Sequence, residues 1–432
     1  MLKNRSKRLF SSVCAFVLVG VGVSCGAIAR TDNPQREQIF NLVWSRVKEK
    51  HFDPKLNGVD WDAVKVKYAP KVASAKDETE FYALMEQMLG ELKQSHFNII
   101  PPYRFLAEDE KKEGGAVTGM TVQLVEGKPV ITRIEPKLPA DKAGLKPGYQ
   151  IVSIDGKTLD DILPKLKERK LPVQEERVQF MLAMMARLGG TLGESSTIAY
   201  LDENDKPQTA QVTHSFAKGE LIRFANLPPT PGFVESKRVA PRIGYIRFNI
   251  FLIEPILDQI RTSFASMKRN TDGVIFDLRG NPGGVGAMAY AIAGMVTQKP
   301  GKLGTMKMRS GELKFPYEPT EKPYRGKVVF LTDEFSLSTS EIMAGGMQEN
   351  KDAIVVGRRT GGMVLPSIIE KLPDGGRLQY AFADFKTAKG VLLEGRGVVP
   401  DFPVELTRKT LLKEGDPILN AAIAQINKRK KS

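Results

Sequence analysis

Val274-Ile275-Phe276-Asp277-Leu278-Arg279-Gly280-Asn281-Pro282-Gly283-Gly284 is the stretch on which the fold of this chain turns. Its first half, Val274–Leu278, is a short apolar run that predicts a strand. Its second half opens a Gly-rich turn, 281–286, before a helix of small and apolar residues. A double Gly at a helix start leaves backbone N–H groups unshielded, which suits an anion or a developing oxyanion. A plain tight turn would carry the same residues.

The alternation continues on both sides. Strand Ile243–Phe248 leads into helix Pro255–Arg269 and then into the quoted strand. Strand Val328–Thr332 leads into helix Ser340–Glu349 and strand Ala353–Val356. This repetition predicts parallel strands joined by crossover helices. Ser367–Leu372, Asp374-Gly375-Gly376 and Leu378–Phe385 then predict a hairpin.

Functional groups in parallel α/β folds gather beyond the carboxyl ends of the strands. Besides the Gly turn, a second such end stands out: Asp333-Glu334-Phe335-Ser336-Leu337-Ser338-Thr339-Ser340-Glu341. A serine at a helix N-terminus sits in a positive dipole field, and the next N–H can face a substrate carbonyl. The same residues also fit a capping box, a purely structural role.

A serine nucleophile needs a base, and the base needs an orienting group. The chain has three histidines, His51, His96 and His214. His96, in Leu92-Lys93-Gln94-Ser95-His96-Phe97, follows a helix where a polar side chain can project. His51 follows an amphipathic helix and reads as a helix-end or packing residue. His214 lies in a strand-like segment and is expected to face solvent. Glu394, in a Gly-rich loop, is the carboxylate candidate; a surface salt bridge is the alternative.

Toward the N-terminus the texture differs. Residues 33–92 read as helical, with Ile39, Leu42, Val43 and Val47 on one stripe and Phe81, Leu84, Met85, Met88, Leu89 and Leu92 on another. Pro101-Pro102 and the charged run 108–113 mark a boundary. Short β-type runs at Thr121–Val125, Val130–Ile134 and Gln150–Ile154 follow, then a helix at Glu175–Leu188 that stops at Gly189-Gly190.

The first residues have the order of a secretory signal. Lys3, Arg5, Lys7 and Arg8 precede an apolar run from Leu9 to Val23, and Ala27-Ile28-Ala29 offers a cleavage site. A rival cut before Cys25 would leave a lipid-anchored chain, open to membrane association; otherwise the product is periplasmic or secreted. Cleavage after Ala29 removes both cysteines, Cys14 and Cys25, which excludes disulfides and thiolate chemistry. The formal charge of +14 falls by four to +10 without the signal. The 432 residues exceed one compact core and predict two or three domains. No zinc finger or RNA-binding aromatic motif is present, so nucleic acid is not an expected partner.

Together these segments resemble the tail-specific, or C-terminal-processing, serine peptidase family along nearly the whole mature chain. Gly244-Tyr245-Ile246-Arg247-Phe248, Asp277–Gly284 and Ser336–Gln348 match its core signatures in order. Gly144-Leu145-Lys146-Pro147-Gly148 followed by Ile154-Asp155-Gly156 looks like its PDZ module. The resemblance implies a multidomain α/β protein: a signal peptide at 1–29, an N-terminal helical domain at 33–113, a PDZ-like β domain with a helical extension at 114–205, and a peptidase core at 206–432. That core would be an α/β spiral similar to Clp-type proteases and crotonases.

By that likeness Ser338 is the nucleophile, and the N–H groups of Thr339 and Gly284 or Gly283 form the oxyanion hole. Many members pair the serine with a lysine 25 residues on, where this chain has Met363. Lys371 or Lys386 would have to substitute. The departure is similar to the branch of the tricorn core and the interphotoreceptor retinoid-binding protein, whose Ser-His-Ser-Glu tetrad would be Ser338, His96, Ser95 and Glu394 here. The PDZ module would hold protein or peptide substrates by strand addition, with Gly119, Met120 and Thr121 as the carboxylate loop. No metal or organic cofactor is required. Because that branch includes a ligand carrier, a catalytically silent peptide- or apolar-ligand-binding protein is the rival reading.

Overall fold

The computed structural model describes residues 33–104, 115–159, 162–227 and 229–428. The export-signal reading of residues 1–29, with Cys25, lies outside them, as do the charged stretch 108–113 and most of the terminal basic run. Among the described residues no helix is long and apolar enough to cross a membrane.

A six-stranded sheet organises the C-terminal half in the order Val234–Ala240, Ile243–Phe248, Gly273–Asp277, Lys327–Thr332, Ile354–Gly357, Phe402–Pro403. Only the first pair is antiparallel. The two-residue side-chain period of a strand divides the sheet into two buried faces. Ile246, Phe248, Val274, Phe276 and Phe330 pack with helices Ile256–Met267, Gly286–Val296 and Thr339–Glu349. Tyr245, Ile275, Val329, Leu331 and Val356 pack with Ile418, Ala422 and Ile426 of helix Pro417–Asn427. Burial on both faces is why these strands read as unbroken apolar runs. Truncating a fully buried Phe276 would cost about 3–5 kcal/mol. Asp277 lies opposite Leu331, so the ends of the second and third parallel strands open side by side.

Three helices, Asn33–Lys50, Trp61–Ala73 and Glu78–Gly90, form the N-terminal module. Asp60 and Asp77 cap the last two by accepting from Ala63 N–H and Glu80 N–H. The predicted stripes meet: Ile39, Val43 and Val47 share a core with Phe81, Met85 and Leu89. That core also takes Leu365, Leu372, Leu378 and Tyr380 from the far end of the chain. Strand Asn98–Ile100 pairs antiparallel with Arg377–Ala381, which in turn pairs with Ser367–Lys371. The helical module is thereby stitched to the C-terminal half.

Here one expectation is corrected. The hairpin's second strand does not run through to Phe385. It ends at Ala381, Phe382 N–H donates to Pro366 O, and Ala383–Thr387 joins strand Gly301–Met308 in another sheet. β-type residues continue across the crossing, so nothing local marks it. The hairpin of Gly301–Met308 and Gly311–Tyr317 is likewise not anticipated from the sequence.

Between these parts lies a sheet of Met120–Val125, Lys128–Ile134, Gln150–Ile154, Ser195–Leu201 and Pro207–Thr213, covered by helices Ile162–Glu168 and Val173–Leu188. Val122, Ile131, Ile151, Phe180, Met184 and Ile198 are its core. His214, expected to face solvent, is instead 4% exposed. It follows strand Pro207–Thr213 into a sheet junction, where Nδ1 meets Glu194 O at 3.1 Å and the ring covers Gly190.

Candidate active site

The serine triplet separates by burial. Ser336 and Ser340 are fully buried, and their hydroxyls donate to Leu278 O at 2.8 Å and Asn281 O at 2.9 Å. Ser338, between them, is the one that keeps solvent contact, at 9%. It precedes helix Thr339–Glu349 with φ 53° and ψ −117°, outside the extended conformation of an ordinary N-cap. A non-glycine residue held there is strained and must be fixed by its surroundings. Ser338 N–H donates to Met363 O at 2.9 Å and to Glu341 Oε2 at 3.0 Å.

Glu341 is the residue that sequence reasoning missed. Its buried carboxylate also accepts from Met363 N–H (3.0 Å), Gly362 N–H (2.8 Å) and Thr360 Oγ1 (2.5 Å). It therefore ties the serine turn to segment 360–363. The capping-box spacing was the available signal, but it did not reveal the partners 19 to 22 residues on.

The Gly-rich turn packs directly on the serine. A Cβ at Gly283 would lie 2.8 Å from Ser338 Cβ and 2.8 Å from Thr339 N. Gly283 and Gly284 have φ of 96° and 138°, conformations that require glycine. Gly283 N–H donates to Asn281 Oδ1 at 2.9 Å, so it is already committed. Gly284 is held by neighbours instead, through Phe251 N–H to Gly283 O (2.8 Å) and Val285 N–H to Phe251 O (2.6 Å). Thr339 is the first helical residue, whose N–H has no partner within the helix. Its hydroxyl donates to Gly284 O at 2.7 Å, which brings the two amides together.

Ser95, His96 and Glu394 meet from opposite ends of the chain. Ser95 Oγ lies 2.7 Å from His96 Nδ1 and donates to Glu394 Oε2 at 3.0 Å. Ser95 N–H donates to Glu394 Oε1 at 2.9 Å, and Val364 N–H to Oε2 at 2.7 Å. Among the described residues the surface salt bridge considered for Glu394 is not formed. Met363 receives the Ser338 N–H and Val364 binds the carboxylate under Ser95, so consecutive residues tie both groups to one strip of backbone. Lys371 and Lys386 are both exposed on their strands, and Met363 packs against the cluster of Val178, Met181, Phe335 and Leu337.

Burial sets the ionisation here. It pushes His96 down to about 4 and raises Glu394 above the usual carboxylate range, against the donors it receives. The folded state thus binds the His96 proton less tightly than the unfolded chain, whose imidazole titrates near 6.5. This group's share of stability is present above about 6.5 and lost as the pH falls toward 4. With three histidines in the chain, NMR titration can resolve it. The His96 ring resonance should hold its neutral position to near pH 4, and a midpoint at 6 or above would contradict the burial.

Beside the site, Asp277 is fully buried and accepts from Arg133 (2.9 Å), Tyr245 (2.7 Å) and Arg279 (2.6 Å). Despite that burial, Arg279 and Arg133 hold its carboxyl far below the ordinary range. Arg279 also grips Asp416 with both terminal nitrogens, at 2.7 and 2.8 Å. The network fixes the strand end that carries the Gly turn.

Comparison with known proteins follows the same layout. Residues 242–404 match peptidase family S41, residues 32–90 the tricorn protease C1 domain, and residues 108–169 the PDZ domain. Residues 242–404 form a peptidase family S41 domain. A carboxyl-terminal-processing protease of Picosynechococcus sp. is 26% identical over 91% of this chain and 89% of its own. A putative tricorn protease homolog 2 of Streptomyces coelicolor is 24% identical over 89% of this chain and 32% of its own. Among solved structures, the photosystem II D1 C-terminal processing protease superposes with a TM-score of 0.59 at 20% identity, covering 89% and 96% of the two chains. Mature CPAF superposes with a TM-score of 0.63 at 14% identity, covering 91% and 99%, and the latter two likenesses show shared fold. With that domain, the chain is a serine peptidase.

The PDZ domain and the helix that follows it pack on the turn that carries Ser338. Val178 and Met181 of helix Val173–Leu188 cluster with Phe335 and Leu337. Gln123 Nε2 donates to Asp333 Oδ2 at 3.1 Å, and Arg177 and Arg358 pair with Glu334 at 3.3 and 2.5 Å. A cavity of about 160 Å³ runs from Met120, Thr121 and Val122 past Met181 and Met184 to Phe335. It is walled by the edge strand Met120–Val125 and helix Val173–Leu188 on one side and by Arg279 and Pro417 of the core on the other. Of the predicted carboxylate loop, Met120 and Thr121 line this cavity, while Gly119 O accepts from Glu135 N–H at 2.8 Å.

Proposed function

We propose that the chain is an exported serine endopeptidase that cuts protein or peptide substrates near their C-termini through an acyl-enzyme on Ser338. The observation that carries this reading is the Met363–Val364 strip, which holds the serine turn at one residue and the Glu394–Ser95–His96 relay at the next. An ionised Glu394 accepts the Ser95 hydroxyl proton, so Ser95 Oγ in turn accepts from His96 Nδ1–H. The imidazole then carries its lone pair on Nε2, the tautomer of a general base.

In the reaction His96 Nε2 takes the Ser338 Oγ proton as Oγ adds to the substrate carbonyl carbon. The N–H groups of Gly284 and Thr339 receive the oxyanion; loss of one such donor costs about 3 kcal/mol in the barrier. The imidazolium returns its proton to the leaving amine as the C–N bond breaks, and water then hydrolyses the ester by the same route. Action near C-termini draws on the relatives' names and on the PDZ cavity that reaches Phe335, three residues before the serine. Export rests on the signal read in residues 1–29; a cut before Cys25 would add a lipid anchor.

A fluorophosphonate probe should label the wild-type chain and not Ser338→Ala. Labelling that survives the substitution, or never occurs, would favour the silent binding protein.

A further inference from the structure

Of the histidines outside the relay, His51 is the one that reaches it. It ends helix Asn33–Lys50, and its ring is fully buried. Asp53 N–H donates to Nδ1 at 3.0 Å, so that nitrogen carries no proton. The proton is then on Nε2, which donates to Gln94 Oε1 at 2.8 Å. The ring also stacks on Phe97, with centroids 5.1 Å apart and planes 12° apart, and on Phe52 at 4.7 Å. Arg309 Nε pins the His51 carbonyl at 2.5 Å, so the histidine is fixed from the peptidase core as well. One imidazole thus grips residues 94 and 97, on either side of Ser95-His96.

That turn needs an external grip. Lys93 and His96 both have positive φ, at 51° and 63°, a conformation that non-glycine residues hold only when their surroundings impose it. Asn57 Nδ2 anchors the start of the turn at Leu92 O, 3.0 Å away. Beyond it, Gln94 and Phe97 are the attachment points of the His51 ring. The charged groups facing that ring are Asp53, whose carboxylate accepts from Lys55 and Asn57 N–H, and Arg309. Burial keeps the ring neutral, and both of its nitrogens are committed.

We propose that His51 is a positioning residue for the reaction: through Gln94 and Phe97 it holds the Ser95-His96 turn so that the His96 ring stays on Ser95. The inference rests on the reading of His96 as the base.

The test uses the rate at which a fluorophosphonate inactivates the full chain, which needs no knowledge of the natural substrate. His51→Phe keeps a stacking ring and loses the bond to Gln94. It should slow inactivation about tenfold and move the His96 NMR midpoint, a readout that a remote packing change would leave in place. Gln94→Met should slow it to the same degree, and the double variant should be no slower than either. His51→Gln, whose side-chain amide can still donate to Gln94, should recover most of the rate. Wild-type rates in Gln94→Met, or losses that multiply in the double variant, would overturn the proposal. Should His51→Phe fail to fold, the half-buried Gln94 still decides the matter through Gln94→Met. His96→Asn separates the two levels. If it inactivates as fast as wild type, the base reading itself fails; if it is inert while His51→Phe and Gln94→Met match wild type, only the positioning role fails.

Discussion

His96→Asn is expected to lower peptide hydrolysis by on the order of 10⁴–10⁶-fold while leaving the fold intact. Asparagine is the informative replacement because His96 has φ 63°, a region that Asn tolerates better than Ala. The loss should be that large because the imidazole is the proposed base and neither candidate substitute lysine shares its burial. Met363 stands where a lysine would be needed, and Lys371 and Lys386 are exposed on strands. Substituting both lysines by methionine should accordingly leave the rate within a few-fold of wild type. Circular dichroism and the denaturation midpoint would show that the three-helix module is still docked. Retention of a tenth of the activity in His96→Asn would remove the imidazole from the mechanism.

Glu341→Gln should be nearly as damaging, for a different reason. The carboxylate accepts four hydrogen bonds, two on each oxygen, and its side chain is fully buried. A glutamine of the same shape keeps one accepting oxygen and turns an NH₂ group toward two donors. Leaving buried donors unpaired costs about 1–3 kcal/mol each. We expect about 3 kcal/mol of lost stability by chemical denaturation and a hundredfold or greater fall in kcat, since the strained Ser338 turn loses its main restraint. Acid should lower kcat but not stability, because a carboxyl raised by folding favours the folded state as the pH falls. Burial pushes the Glu341 carboxyl up to about 7 against the pull of its donors, and protonation would turn one accepting oxygen into a donor. A Glu341→Gln chain with wild-type kcat and stability would show that Met363 O alone fixes the serine.

Much of the catalytic half was legible because its signals are local. Strands such as Val274–Leu278 are covered on both faces, so burial writes a continuous apolar run. The Gly283-Gly284 pair announces a backbone conformation that other residues resist. The adjacency of Ser95 and His96 marks one half of the proposed relay, and Glu394 was a carboxylate candidate that only likeness to a family paired with it. The three-helix module declared its stripes, but the stripes could not say that Leu372 and Tyr380 would complete its core.

What stayed hidden depends on partners distant in the chain. The break at Phe382, the burial of His214, the commitment of Gly283 N–H to Asn281 and the four donors on Glu341 are choices among hydrogen-bond partners that local propensity does not rank. His51 is the clearest case: a histidine at the end of a helix reads the same whether it faces water or grips Gln94. The sequence by itself determined the alternation of strands and helices and the residue types able to do acyl transfer, because periodicity and backbone permissiveness are properties of neighbours. Only the tertiary structure decided which serine keeps solvent contact, which amide of the Gly turn is already bonded and what holds the imidazole, because those outcomes are set by packing between segments far apart in the chain.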